Sequence, residues 1–132
     1  MRLYFDSSAL VKLVQVEAES ESLRDYLRAH RADERVASEL ARVEVVRAVL
    51  SGGAPTVARA RRELGRFILV KMNREILERA ATLAPESLLR SLDAIHLATA
   101  QTVGNELRAL VSYDARMLSA AAMLRLPTES PR

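Results

Sequence analysis

The sequence predicts an α/β fold in which helices cover both faces of a parallel sheet. Short apolar runs alternate with longer segments of helical periodicity along the whole chain. This alternation is typical of β-α-β units, whose crossover helices pack onto the sheet. The chain has 132 residues, of which 49% are hydrophobic, and this is enough for one core of ordinary size. We therefore expect a single domain over residues 1–132.

The first half of the chain predicts two strands and four helices. The first strand is the apolar run before Asp6, and Ser7 or Ser8 is the expected N-cap of the helix that follows. Pro55 is placed to open the fourth helix, whose arginines predict a solvated face, with a phosphate-binding patch as the alternative. The predicted strands cover residues 3–5 and 35–38, and the predicted helices cover residues 9–14, about 17–30, 39–50 and 55–66.

The second half predicts three strands and three helices. Asn73 is a suitable N-cap for the first of these helices, and Pro85 ends it. The last strand contains Pro127, which is tolerated at the edge of a sheet. The predicted strands cover residues 67–70, 109–113 and 126–127, and the predicted helices cover residues 73–84, 92–104 and 115–124.

The composition excludes several classes of function. The chain has no cysteine, so a disulfide framework and a thiolate metal site are both impossible. No run of about eighteen uncharged apolar residues occurs, and no secretory signal opens the chain, so we expect a cytoplasmic protein without a membrane span. The formal net charge of +3 is a weak basic bias.

Two aspartates follow buried strands. Asp6 comes directly after the first apolar run, and Asp114 stands just past the strand over residues 109–113. In open α/β sheets, ligands bind at the carboxyl ends of the strands. Both aspartates are therefore placed for chemistry, although a capping role between strand and helix is the alternative for Asp6.

Two further acids lie on apolar helices. Asp93 stands in the first turn of its helix, where an acid is costly to desolvate unless it is paired or holds a metal. Glu44 has mostly apolar or small neighbours at helical spacing, so we expect its carboxylate to face the interior. An exposed ion pair with Arg47 is the alternative. The valines spread around this helix predict burial on more than one side.

Four carboxylates in one site would repel one another unless protons or a cation were bound. A hard ion such as Mg²⁺ or Mn²⁺ prefers carboxylate oxygen, and it can activate water for attack on a phosphodiester. Other chemistries lack their residues, because there is no P-loop, no G-x-S-x-G motif and only two histidines. We expect His30 at the surface, and His96 either packed in the core or orienting Asp93.

Four motifs, in this order, resemble those of PIN domains, and more narrowly those of the VapC-type toxins of bacterial type II toxin–antitoxin modules. They are LYFDSSALVK at residues 3–12, RVEV at residues 42–45, LDAIHLATA at residues 92–100 and VSYDARML at residues 111–118. The resemblance implies a three-layer α/β/α fold with a central, mainly parallel sheet of four or five strands. It also implies a Mg²⁺- or Mn²⁺-dependent endoribonuclease that hydrolyses phosphodiester bonds in tRNA, rRNA or mRNA.

The same resemblance implies roles for individual residues. Asp6, Glu44, Asp93 and Asp114 match the acidic catalytic pocket of the family. Asp6, Asp93 and Asp114 are the implied metal ligands, Glu44 holds or activates the attacking water, and Ser8 supports the pocket. The family also implies a homodimer that a cognate VapB-type antitoxin inhibits. Residues that bind the substrate are not assigned.

Two other functions stay open on the sequence alone. One is a non-catalytic module of the same fold that binds RNA or protein. The other is a phosphatase or DNA nuclease that uses the same metal pocket, because a fold does not fix a function. The four intact acids favour a nuclease over a non-catalytic module.

Overall fold

The computed structural model describes all 132 residues. The strands are β1 (Arg2–Phe5), β2 (Glu34–Ser38), β3 (Ile68–Val70), β4 (Leu107–Val111) and β5 (Thr128–Glu129). The helices are α1 (Ser7–Val14), α2 (Ser20–Ala29), α3 (Ala41–Val49), α4 (Ala54–Leu64), α5 (Arg74–Thr82), α6 (Ser91–Gln101) and α7 (Ala115–Met123), with 3₁₀ turns at Leu50–Gly52 and Gly104–Glu106.

All five strands are parallel, in the spatial order β3-β2-β1-β4-β5. The central strand is β1, where Tyr4 lies opposite Val36 of β2 and Leu110 of β4. Because the strands run in one direction, the residues that follow them meet at a single edge of the sheet. The predicted α/β fold with a parallel sheet between layers of helices is confirmed.

Alternation along β1 divides the core between the two faces of the sheet. Leu3 and Phe5 pack with residues of α1 to α4, whereas Tyr4 packs with residues of α6 and α7. All three side chains are fully buried, and burial of a side chain of this size contributes about 2 kcal/mol. Burial on both faces explains why the strand has no polar alternation. No helix of the protein is both long and apolar enough to cross a bilayer.

The start of α1 differs from the prediction. The helix begins at Ser7, and Asp6 is its N-cap, with a carboxylate oxygen that accepts from the backbone N of Ala9 at 3.1 Å. The assignment of Ser7 or Ser8 as the cap was therefore wrong, and the capping alternative for Asp6 was right. A carboxylate at this position also interacts favourably with the helix dipole.

Two predicted strands lie at the edges of the sheet with different boundaries. The strand predicted as buried over residues 67–70 begins at Ile68, which is 42% exposed because β3 has a neighbour on one side only. The last strand lies at Thr128–Glu129, and the carbonyl of Pro127 accepts from the backbone N of Leu110 at 2.8 Å.

The helices keep their predicted order, and their ends move by a few residues, as terminal turns commonly do. Asn73 caps α5 as predicted, since its side chain accepts from the backbone N of Ile76 at 2.9 Å. The expected burial of α3 on more than one side was wrong, because Val43 is 57% exposed.

Candidate active site

The four predicted acids lie on elements that meet at the C-terminal edge of the sheet. Asp6 follows β1, Asp114 follows β4, Glu44 lies on α3 after β2, and Asp93 lies in the first turn of α6. Burial raises the pKa of Asp93, and the charges of Asp114, Glu44 and Asp6 raise it further. The fold therefore brings the four carboxylates within electrostatic range of one another.

Asp6 is the most deeply buried of the four, at 3% exposure. Its Oδ1 accepts from the Ser8 hydroxyl at 2.6 Å and from the backbone N of Ala9, and its Oδ2 accepts from the Ser112 hydroxyl. Burial raises the pKa of Asp6, and these hydrogen bonds only partly oppose that effect. The carboxylate is thus held in one orientation in surroundings that disfavour its negative charge.

The two serines connect Asp6 to the end of β4. While it donates to Asp6, the Ser8 hydroxyl accepts from the backbone N of Tyr113 at 3.0 Å. The Ser112 hydroxyl accepts from the backbone N of Asp114 at 3.1 Å. Each serine hydroxyl thus donates its single proton to Asp6 and accepts a hydrogen bond from the backbone after β4. These hydrogen bonds fix Asp6 relative to the segment that carries Asp114.

Sequence reasoning did not find Ser112. The signal that identifies it is the register of β1 and β4, in which Phe5 lies opposite Val111. That register places the residue after Val111 beside the residue after Phe5, which is Asp6. The register cannot be derived from either strand separately.

Glu44 faces the interior, as the spacing of its apolar neighbours indicated. Its Oε1 accepts from the Ser7 hydroxyl at 2.7 Å and lies 2.6 Å from His96 Nε2. The alternative of an ion pair with Arg47 was wrong. Burial acts to raise the pKa of Glu44, but the hydrogen bond and the electrostatic attraction of His96, with the hydrogen bond from Ser7, outweigh it and lower the pKa.

His96 links Glu44 to the core. It is 1% exposed, and its Nδ1 lies 2.8 Å from the hydroxyl of Tyr4. Burial, with the negative charge of Asp6, raises the pKa of Tyr4 well above its usual value, so the hydroxyl keeps its proton and donates it to Nδ1. Because the ionised Glu44 carboxylate can only accept, His96 donates to it from Nε2. The expected core histidine is present, but its hydrogen bonds hold Glu44 and not Asp93.

Asp114 and Asp93 differ in their partners. Oδ1 of Asp114 accepts from the backbone N of Arg116 at 2.8 Å and of Met117 at 3.3 Å, which makes Asp114 the N-cap of α7. Asp93 accepts no hydrogen bond from a side chain or from the backbone. It is therefore a partly buried acid without a hydrogen-bond donor, and only the attraction of His96 opposes the effects that raise its pKa.

Comparison with known proteins shows the family to which this arrangement belongs. Residues 3–123 match the family model of the PIN domain. The chain belongs to the PIN-domain family. Its four acids are carried by strand ends and helix starts spread across the whole of this PIN domain.

Relatives of this PIN domain include proteins named as ribonucleases. Ribonuclease VapC46 of Mycobacterium tuberculosis is 46% identical over 129 residues, which cover 98% of this chain and 97% of that protein. Ribonuclease VapC35 of the same species is 42% identical over 134 residues, which cover 98% and 96% of the two proteins.

Solved structures share the fold. A toxin-antitoxin complex from Klebsiella pneumoniae contains a chain that matches with a TM-score of 0.67 at 25% identity, over 89% of this chain and 90% of that one. The crystal structure of Mycobacterium tuberculosis VapC20, a sarcin-ricin loop cleaving toxin, matches with a TM-score of 0.73 over 89% and 94% of the chains. Its identity is 16%, so this second likeness shows the fold alone.

The side chains of this PIN domain form no group of three or more His, Cys, Asp or Glu arranged to hold a metal ion together. Serine hydroxyls, backbone amides and His96 hold the carboxylates of Asp6, Glu44 and Asp114, and Asp93 has no hydrogen-bond partner. The available donors are nevertheless all carboxylate oxygens. Mg²⁺ commonly binds through one or two carboxylates and keeps several waters, so this set fits a hydrated hard cation.

Proposed function

We propose that this PIN domain is a Mg²⁺- or Mn²⁺-dependent endoribonuclease that hydrolyses RNA phosphodiester bonds as the toxin of a type II toxin–antitoxin pair. The observation that carries the proposal is that four carboxylates lie on elements that meet at one edge of the sheet. The chain that contains them is 46% identical to Ribonuclease VapC46 over nearly its whole length. The likeness to a chain of a toxin-antitoxin complex supports the second part of the proposal.

Asp6, Asp93 and Asp114 would hold the metal, directly or through water. Asp93 has no hydrogen-bond partner, and the Oδ2 of Asp114 is free because Oδ1 makes both capping hydrogen bonds. A bound ion would stabilise the ionised form of these acids, would lower the pKa of its waters and would stabilise charge on the phosphate. Ser8 and Ser112 keep Asp6 in position for this role.

Glu44 would accept the proton of the attacking water. Its Oε1 is held by Ser7 and His96, whereas its Oε2 makes no hydrogen bond within the protein. Because its pKa is lowered, the carboxylate is ionised at neutral pH and Oε2 is available as the acceptor. A general base must be within hydrogen-bond reach of the proton it takes, and the two contacts to Oε1 fix where the other oxygen lies.

The proposal includes a cognate VapB-type antitoxin as the protein partner and a homodimer as the assembly. Val43 and Leu50 support a protein partner, since they are 57% and 53% exposed. Their spacing of seven residues places them on one side of the α3 segment. An exposed apolar pair on one side of a helix is a surface that a partner chain would cover.

The substrate class can be tested with a panel of four compounds. The purified chain is incubated in Mg²⁺ with tRNA, rRNA, single-stranded DNA and p-nitrophenyl phosphate, and the products are measured over time. The proposal expects cleavage of RNA that stops with EDTA. Hydrolysis of the DNA or of the phosphate ester in preference to RNA would contradict the ribonuclease assignment while leaving the metal site in place.

A further inference from the structure

Five arginines surround a cavity of about 220 Å³ that is separate from the acidic site. Three of the eight lining residues are not arginine, and two of those three are apolar. The arginines come from α2 and the turn after it, from the start of β2 and from the turn after α4, and we call this group the arginine cavity. Its arginines are Arg24, Arg28, Arg31, Arg35 and Arg66.

Two of the arginines share one face of α2. Arg24 and Arg28 are four residues apart, which is the spacing of neighbours on a helix surface, and Arg31 lies in the turn that follows the helix. Arg24 donates to the carbonyl of Leu13 at 3.1 Å, and Arg28 pairs with Asp25. The exposed pair with Asp25 holds the Arg28 guanidinium only weakly.

Of the other three arginines of the cavity, only one has an acidic partner. Arg66 lies 3.5 Å from Glu63, the single acid that lines the cavity. Arg31 and Arg35 make no ion pair and no side-chain hydrogen bond within the protein. The five arginines of the lining thus face one carboxylate within it, Glu63, and Arg28 also pairs with Asp25 outside it.

The arginine cavity lies away from the acids. Arg35 is opposite Leu3 in the register of β1 and β2, and Leu3 precedes Asp6 by three residues. At about 3.3 Å per residue in a parallel strand, the two positions are about 10 Å apart along the strand direction. The arginine cavity therefore belongs to the opposite end of the sheet from the proposed cleavage site.

We propose that the arginine cavity binds phosphate groups of the RNA backbone at a distance from the bond that is cleaved. The planar guanidinium forms paired hydrogen bonds to phosphate, and unpaired arginines such as Arg31 and Arg35 are free to do so. An acidic protein segment would ordinarily need apolar anchors as well, and the cavity offers little apolar lining. The inference rests on the proposed ribonuclease function for its class of ligand.

The test compares two double variants with the same loss of charge. Arg31→Gln/Arg35→Gln changes the arginine cavity, and Arg62→Gln/Arg74→Gln removes two arginines that also lack partners but lie outside it. Both are made in an Asp93→Asn chain, so that RNA stays intact, and fluorescence anisotropy measures binding of labelled tRNA at several salt concentrations. Thermal unfolding confirms that both variants are folded.

The proposal expects a roughly tenfold weaker affinity for the cavity variant, with a salt slope smaller by roughly 1.5 for two lost phosphate contacts. The control variant should stay within about twofold of its parent, as should binding of a trinucleotide too short to reach the cavity. Equal weakening in both variants, or in neither, would overturn the proposal. Displacement of tRNA by poly-glutamate of matched charge would also overturn it, in favour of an acidic protein partner.

Cleavage by the chain that retains Asp93 separates this inference from the function it rests on. RNA cleavage together with unchanged tRNA binding by the cavity variant would overturn the remote phosphate site alone. Absence of cleavage together with cavity-dependent tRNA binding would overturn the nuclease function and support the phosphate site.

Discussion

His96 Nε2 lies 2.6 Å from Glu44 Oε1, although 52 residues separate the two in the chain. His96 also contacts the hydroxyl of Tyr4 on the central strand. The hydrogen bonds of Tyr4, His96 and Glu44, which we call the polar chain, therefore run from the core to the acidic edge of the sheet. Buried polar chains of this kind stabilise only when every member has its partner. This one fixes the position of the acid that we propose as the proton acceptor.

Replacement of Tyr4 by Phe should destabilise the protein by about 1–3 kcal/mol, because the buried Nδ1 of His96 loses its donor. Urea unfolding measures the loss. The matched control is Tyr113→Phe, which removes a hydrogen bond to the Pro131 carbonyl in a less buried setting and should have a smaller effect. Equal losses in the two variants would contradict the proposed polar chain.

Replacement of His96 by Leu should weaken the pH dependence of stability at acidic pH. The pKa of Glu44 is lowered in the folded protein, so its ionised form stabilises the fold above the usual pKa of about 4.3. That stabilisation is lost as the pH falls through the lower folded value. Without the His96 hydrogen bond, the difference in unfolding free energy between about pH 2.5 and pH 5 should shrink. An unchanged difference would show that His96 does not act on Glu44.

Replacement of Asp93 by Asn should stabilise the protein at neutral pH in the absence of metal. Burial and the neighbouring acids raise the pKa of Asp93, so its protonated form is favoured in the folded state. The stability that this proton gives is present below the usual pKa of about 3.9 and is lost as the pH rises through the folded value. A higher melting temperature for Asp93→Asn at pH 7 checks this.

Addition of Mg²⁺ should make the melting temperature of the chain with Asp93 higher than that of Asp93→Asn, because a ligand that binds the folded state raises its melting temperature. The chain with Asp93 should gain stability from the ion, and Asp93→Asn should gain much less. An equal rise in both proteins would place the bound ion elsewhere.

Replacement of Asp33 by Asn should reduce stability without changing RNA cleavage. Asp33 pairs with Arg108 and lies 3.3 Å from the N-terminal amine of Met1, and these contacts lower its pKa, with the Arg108 hydrogen bond as the largest cause. A lowered pKa gives stability above the usual pKa, and that stability is lost as the pH falls through the folded value. The deficit of the variant should therefore be present at pH 7 and absent near pH 2. A cleavage defect matching the loss of stability would contradict the separation of this pair from the active site.

The sequence was sufficient to predict the class of fold and the elements that carry the acids. Apolar runs of strand length, each followed by a helical segment, indicate a parallel sheet, and the two aspartates after such runs are placed by this pattern. Asp93 and Glu44 were found because an acid among apolar helical neighbours is unusual. These signals are local, and they do not depend on which strands pair.

What the sequence did not predict depends on contacts between distant elements. The hydrogen bond from Ser112 to Asp6 requires the register of β1 and β4, and the link from Tyr4 through His96 to Glu44 crosses three elements. The arginine cavity likewise forms only when α2, β2 and the end of α4 come together. The N-cap of α1 was also predicted wrongly, because the helix is capped by the carboxylate of Asp6 and not by the hydroxyl of Ser7 or Ser8.

The rate of RNA cleavage at increasing Mg²⁺ concentration tests most directly whether the acids act through a shared cation. The same titration is run on Asp93→Asn and on Glu78→Gln, which changes an exposed acid on α5. We expect cleavage that requires Mg²⁺, falls by at least about a hundredfold in Asp93→Asn and is unchanged in Glu78→Gln. Undiminished cleavage in EDTA, or by Asp93→Asn, would show that the acids do not act through a shared cation.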